Sequence, residues 1–309
     1  MKNKNILILG SSGNIGRSLT KKLLSDGYYL TAPLRNHDRA KRNILSGDIG
    51  QIKVIKFDIS NISAIEQEIQ KSDIIVNLLG ILFENSNCSF ELAHYLTPKI
   101  LSNLTIKHNK RLIHVSSLGS SLSSKSSYLY SKALGEHHIV SNHNNYTIIK
   151  PSIVFGEEDK FLNNFAQMTK FLPFLPLYKR GKTKFQPIYI DDLALFLKVI
   201  IETENTYKNK IFDAVGPNSY SFKEILEIIY EILKKKKRFI NIPDLLGAIQ
   251  GRVMGLLPKP PFTYDQFISL DYDSVSPGSE KIVASAIGRE LSSMKLIASI
   301  YLNKFIEKI

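Results

Sequence analysis

Asn5-Ile-Leu-Ile-Leu-Gly10-Ser-Ser-Gly13-Asn-Ile-Gly16, near the start of the 309-residue chain, reads as a short buried strand, a glycine turn and the opening of a helix. The three glycines have separate tasks. One makes the tight turn, one lets a ligand approach the backbone, and one lets the helix pack closely on the strand. The helix N-terminus leaves backbone N–H groups without partners and carries the positive end of the helix dipole, so this turn is suited to a diphosphate. Gly10, Ser12, Gly13, Asn14, Ile15 and Gly16 are therefore candidate cofactor-binding residues.

Outward from that turn, strand and helix patterns alternate. Tyr29–Ala32, Lys53–Phe57, Ile74–Leu78, Arg111–Val115 and Tyr146–Lys150 read as further strands. Asn14–Ser25, Ile62–Gln70, Phe90–Asn109 and Tyr128–Ser141 read as helices. Near-continuous apolar strands separated by helices predict a doubly wound α/β fold, a Rossmann parallel sheet covered on both faces. We place this dinucleotide-binding domain at residues 1–155, with segments near 186–215 returning to it. Residues 156–309 form a smaller, mostly helical domain. In it, Asp191–Ile201, Ser221–Lys235 and a last helix near Leu291–Phe305 are predicted, with a capping-box pattern at Ser221 and Glu224.

Composition narrows the classes. Apolar residues make up 43% and charged residues 22%, as in a globular protein. The single cysteine, Cys88, excludes an internal disulfide and fits a reducing compartment. No apolar run approaches the roughly 20 residues of a membrane span, and we read no export signal, so a cytoplasmic location is expected. The formal charge of +13 invites an anionic partner. Lysine dominates it without a nucleic-acid module, so no nucleic acid is expected. The seven histidines show no metal-ligand spacing, and no metal site is predicted.

The second strand carries the cofactor preference. An NAD enzyme ends this strand with a carboxylate for the ribose hydroxyl. Here it ends Thr31-Ala-Pro33-Leu-Arg35, and a guanidinium can pair with a 2′-phosphate. NADP(H) is therefore expected in preference to NAD(H). Asp58 is placed at the adenine edge, and Leu79 and Gly80 where backbone approaches the cofactor.

Tyr128-Leu-Tyr-Ser-Lys132 sets a tyrosine and a lysine on one helix face. Such a lysine is expected to lower the phenol pKa and to hold the nicotinamide ribose. The phenol can then serve as acid or base beside a hydride-transfer site. Ser117, after the fifth strand, is placed to orient a substrate carbonyl. Ser117, Tyr128 and Lys132 are the candidate catalytic set.

Ser127-Tyr-Leu-Tyr-Ser-Lys-Ala-Leu-Gly-Glu136 resembles the extended short-chain dehydrogenase signature. Lys150-Pro-Ser-Ile-Val-Phe-Gly156, Gln186-Pro-Ile-Tyr-Ile-Asp-Asp-Leu-Ala194, Gly47-Asp-Ile-Gly-Gln51 and Asn77-Leu-Leu-Gly80 narrow it. Together they resemble the NAD(P)H-binding accessory subunit of respiratory complex I, the alpha-subcomplex subunit 9 family. The resemblance implies NADPH held by Gly10, Gly13, Gly16 and Arg35, with Lys132 and Pro151 near the nicotinamide. It also implies complex I as partner and bound coenzyme without turnover. Retention of Ser117, Tyr128 and Lys132 keeps open an active reductase of an apolar carbonyl, isoprenoid or quinone-related. A redox-sensing module without chemistry is the third reading. Lys234-Lys-Lys-Lys-Arg238, followed by the apolar residues Leu245 to Leu257, reads either as a solvated helix cap beside the small domain's core or as a surface for an anionic membrane or a partner subunit.

Overall fold

In the computed structural model of the chain, residues 4–34, 50–56 and 58–306 are described. Arg35 and most of Gly47–Gln51 lie outside them. Thirteen strands are described: β1 (Asn5–Leu9), β2 (Tyr29–Leu34), β3 (Ile52–Lys56), β4 (Ile74–Asn77), β5 (Arg111–Val115), β6 (Tyr146–Pro151), β7 (Val154–Phe155), β8 (Leu175–Leu177), β9 (Lys184–Phe185), β10 (Ile188–Tyr189), β11 (Lys210–Ala214), β12 (Tyr220–Ser221) and β13 (Phe239–Asn241). Seven form one sheet in the order β11-β6-β5-β4-β1-β2-β3, every pair parallel. The order reverses between β1 and β4, and such a switch point opens a crevice at the carboxyl ends of the strands.

The sheet is covered on both faces. Along β1, Ile6 and Ile8 enter one core while Leu7 and Leu9 enter the other, as the two-residue period of a strand requires. The first face carries α1 (Asn14–Ser25), and the second carries α2 (Ile62–Lys71), α3 (Thr97–Lys107) and α4 (Ser127–Asn142). A further apolar cluster is built from α5 (Phe161–Phe171), from β7 and β8, and from segments beyond residue 220. The remaining helices are α6 (Ile190–Glu202), which packs on α1, α7 (Glu204–Tyr207), α8 (Phe222–Ile232), α9 (Asp244–Gly255), α10 (Tyr264–Ser269), α11 (Ser279–Ile287) and α12 (Met294–Leu302). The capping box at the start of α8 is formed by Ser221 and Glu224. The helix expected over Phe90–Asn109 contains a π-helical stretch, Leu92–Leu96, before α3.

Polar side chains of the Gln186–Ala194 motif tie the C-terminal segment to the sheet. Gln186 donates to the Gly216 carbonyl at 3.0 Å and accepts from the Ser276 amide at 3.0 Å. Asp192, wholly buried, accepts from the Ser292 amide at 2.7 Å and pairs with Arg289.

Candidate functional site

The turn after β1 is built for close approach. Gly10 has φ +84°, a left-handed conformation that a side chain would strain, and a Cβ there would sit 3.0 Å from the Leu78 carbonyl. A Cβ on Gly16 would lie 2.2 Å from the Gly10 carbonyl oxygen, so α1 can rest on the turn only with glycine at that position. The Gly13 amide donates to the Gly10 carbonyl at 2.9 Å and closes the loop. Gly13 is the N-cap of α1, with no side-chain cap and no acidic residue in the first turn. Among the described residues, the first turn of α1 thus leaves its N–H groups with neither a capping side chain nor an acidic residue of its own. Arg17 holds the Ser12 carbonyl at 2.8 Å and pairs with Glu158, fastening the loop to the segment after β7. A diphosphate fits this donor set.

The neighbouring strand ends continue the site. The amide of Leu79 donates to the Asn77 side chain at 3.1 Å, which shapes the backbone beside Gly10. A Cβ on Gly80 would stand 3.2 Å from Lys132 Nζ, so the β4 exit joins the glycine turn to the lysine of α4. Lys132 is 4% exposed and donates to the Val115 carbonyl at 3.3 Å. Burial pulls its pKa down to about 8, against the opposing pull of Glu136. Pro151, at the end of β6, accepts from the Leu118 amide at 2.9 Å and abuts the Ser117 loop. Asp58 is exposed, follows β3 two strands from β1, and accepts from the Ser60 hydroxyl at 2.7 Å and the Ser60 amide at 2.9 Å, which together keep its carboxyl below the usual range.

Ser117 lies close enough to Tyr128 to act on its phenol, while its own hydroxyl donates to the Leu118 carbonyl at 3.3 Å. Lys132 does not depress the phenol as the sequence suggested. Burial is the largest influence and raises the Tyr128 pKa, the nearby Ser117 hydroxyl opposes it, and Asp265 raises it further. The phenol is thus a neutral donor across the ordinary pH range.

Three further residues organise this region. His94 stacks near Phe90, meets the Tyr128 ring edge-on at 5.3 Å, and accepts from the Ile81 amide at 3.1 Å. Burial and the nearby Lys132 push its pKa down to about 2, so it is neutral. Glu136, one turn after Lys132, is buried with Ser116, Ser120 and Lys150 as partners, the last at 3.1 Å. Asp265 of α10 caps the start of α4, accepting from the Ser126 hydroxyl at 2.8 Å and the Tyr128 amide at 3.1 Å. Asp265 lies 137 residues from Tyr128, so no local pattern pointed to it. The one available signal was the Thr263-x-x-Gln266 spacing, a capping box in the structure.

A parallel seven-stranded sheet with a glycine turn at its switch point and a buried lysine beside it defines a nucleotide-binding Rossmann protein of the dehydrogenase kind. Residues 10–167 match the model of the NAD(P)H-binding family. The chain belongs to that family and, within it, to the group of complex I alpha subcomplex subunit 9. It is 30% identical over 280 residues to the Arabidopsis thaliana NADH dehydrogenase (ubiquinone) 1 alpha subcomplex subunit 9, mitochondrial, covering 87% of this chain and 70% of that protein. The Mus musculus protein of the same name is 30% identical over 298 residues, covering 94% of this chain and 78% of its own length. Among solved structures, Pal from Bacillus thuringiensis superposes with TM-score 0.73 at 15% identity, over 97% of this chain and 99% of that one. The dTDP-glucose 4,6-dehydratase of Bacillus anthracis, solved with NAD, gives 0.71 at 17% identity, over 97% and 96%. These two likenesses concern the fold. No described helix is long and apolar enough to cross a membrane.

Proposed function

We propose that the chain holds NADP(H) in preference to NAD(H) and acts as an accessory or assembly component of respiratory complex I on the cytoplasmic side of the membrane. The observation that carries this reading is the continuous edge from the uncapped start of α1, past Leu78–Gly80, to the buried Lys132. Gly10, Ser12, Gly13, Asn14, Ile15 and Gly16 would hold the diphosphate, and Arg35 the 2′-phosphate. Asp58 would face the adenine side, Leu79 and Gly80 would flank the coenzyme, and Lys132 and Pro151 would meet its nicotinamide end. Residues 1–155, with 186–215, would form the cofactor domain and the remainder the partner or substrate face. The relatives named as complex I subunits support the choice of partner. A tagged chain isolated from its own membranes should bring complex I subunits with it. A preparation that retains coenzyme but never carries those subunits would reject the association and leave cofactor binding standing.

A second reading, reduction of an apolar carbonyl, is favoured by the nearness of Ser117 to the Tyr128 phenol. When bound, the coenzyme would supply hydride. Ser117 would orient the carbonyl oxygen, and the neutral Tyr128 would keep a proton at its phenolic oxygen. Turnover abolished by Tyr128→Phe with coenzyme affinity unchanged would establish it.

A further inference from the structure

Helix α9 and the two residues after it turn their largest apolar side chains outward. Leu245, Leu246, Ile249, Val253, Leu256 and Leu257 are 73%, 55%, 46%, 62%, 86% and 53% exposed. At 3.6 residues per turn, Leu245, Leu246, Ile249 and Val253 share an arc of about 100°, and Leu256 and Leu257 follow directly after the helix end. The inward side is made of glycine. A Cβ on Gly247 would lie 2.6 Å from the Phe267 ring, and one on Gly251 would lie 2.8 Å from the Tyr264 backbone. The helix therefore docks through its smallest residues and leaves its largest ones to water. That is the reverse of a surface helix that completes a core.

The chain leading into this helix is strongly basic. Lys234–Arg238 runs directly into the three-residue β13, and α9 begins three residues after β13 ends. Strand geometry, about 3.3 Å per residue, puts Arg238 within about 20 Å of the helix start and Lys234 within about 33 Å. The Arg238 carbonyl accepts from the Leu175 amide at 3.0 Å, which sets the same charges beside the turn bearing Phe171 and Phe174, 75% and 45% exposed. From residue 234 to 260 the sole carboxylate is Asp244, and Lys179 pairs with it at 3.3 Å.

We propose that α9 and the adjoining basic run form a docking surface for an anionic lipid bilayer, with the leucine stripe seated at the level of the acyl chains. The charge rules against a neutral or cationic partner, and positive side chains beside an apolar helix match the negative surface of an anionic leaflet. The stripe itself is aliphatic, and its contiguity with a run of five positive charges favours the acyl and headgroup layers of an anionic bilayer over a partner subunit. The proposal deepens the membrane placement given above, yet it needs neither coenzyme nor complex I, because purified chain and pure lipid are its only components.

The test is flotation of the full-length chain with phosphatidylcholine vesicles, with and without about one-third phosphatidylglycerol. The intact chain should float with the anionic vesicles and not with the neutral ones. Leu245→Gln combined with Leu256→Gln, at the two most exposed positions of the stripe, should weaken binding by at least about tenfold, while circular dichroism and coenzyme affinity stay unchanged. Lys234→Gln with Lys236→Gln should weaken it and flatten its salt dependence. Absence of flotation, or flotation indifferent to both variants, overturns the proposal. So does a concentration-dependent dimer that the leucine variant dissolves without any lipid effect, because a second copy would then cover the stripe.

Discussion

Removal of the Lys132 ammonium should stabilise the cofactor-free chain. The side chain is 4% exposed, and burial moves its pKa from the usual 10.5 to about 8. At about 1.4 kcal/mol per pH unit, that fall corresponds to a cost of about 3 kcal/mol for holding the charge inside the fold at neutral pH. The sign follows from proton counting. Between pH 8 and 10.5 the unfolded lysine binds more protons than the folded one, so stability rises with pH through that window, and below about pH 8 the full cost is present and constant. Lys132→Met removes the cost and forfeits the hydrogen bond to the Val115 carbonyl, worth about 1 kcal/mol, for a net gain of about 2 kcal/mol at pH 7. Urea unfolding at pH 7 and pH 10 measures it. The variant should unfold at higher urea at pH 7, and the gap should close toward pH 10. The same variant should bind NADPH about tenfold or more weakly, as expected for a group kept for its ligand at the expense of stability. A variant less stable than wild type at pH 7, or a gap that does not change with pH, would refute the reasoning.

Gly16→Ala would place a methyl 2.2 Å from the Gly10 carbonyl oxygen, so NADPH should no longer raise the thermal midpoint of that variant. Asp265→Ala removes the carboxylate that caps α4 and should cost about 1–2 kcal/mol in urea unfolding, with Asp265→Asn recovering part of it. His94 and His114 have pKa values pushed by burial down to about 2 and about 3, so the fold must hold them neutral. Their contribution is complete above pH 6.5 and is lost as pH falls toward 3, and His94→Gln should flatten the stability loss between pH 6 and pH 4.

The cofactor edge was legible because its determinants are local. A β-branched run, three glycines and a helix start fall within the twelve residues from Asn5 to Gly16, and each constrains the backbone independently. Arg111–Val115 was readable as a strand to the residue, since five buried positions between helices admit little else. The surroundings of Tyr128 were less legible. Its helix cap comes from Asp265 and its ring neighbour is His94, both brought in by folding over long separations. The expected effect of Lys132 on the phenol rested on spacing alone, and burial of both groups reversed the outcome. The leucines of α9 could be placed next to a basic run from the sequence, but only the docking of Gly247 and Gly251 shows which side faces out.

Titration calorimetry of the correctly folded, coenzyme-free chain with NADPH and then NADH tests the central claim most directly. The account predicts one coenzyme per chain, with NADPH the tighter ligand and its binding lost in Gly16→Ala. Heat from neither coenzyme would contradict it, because the open amides of α1 and the buried Lys132 would then serve some other ligand.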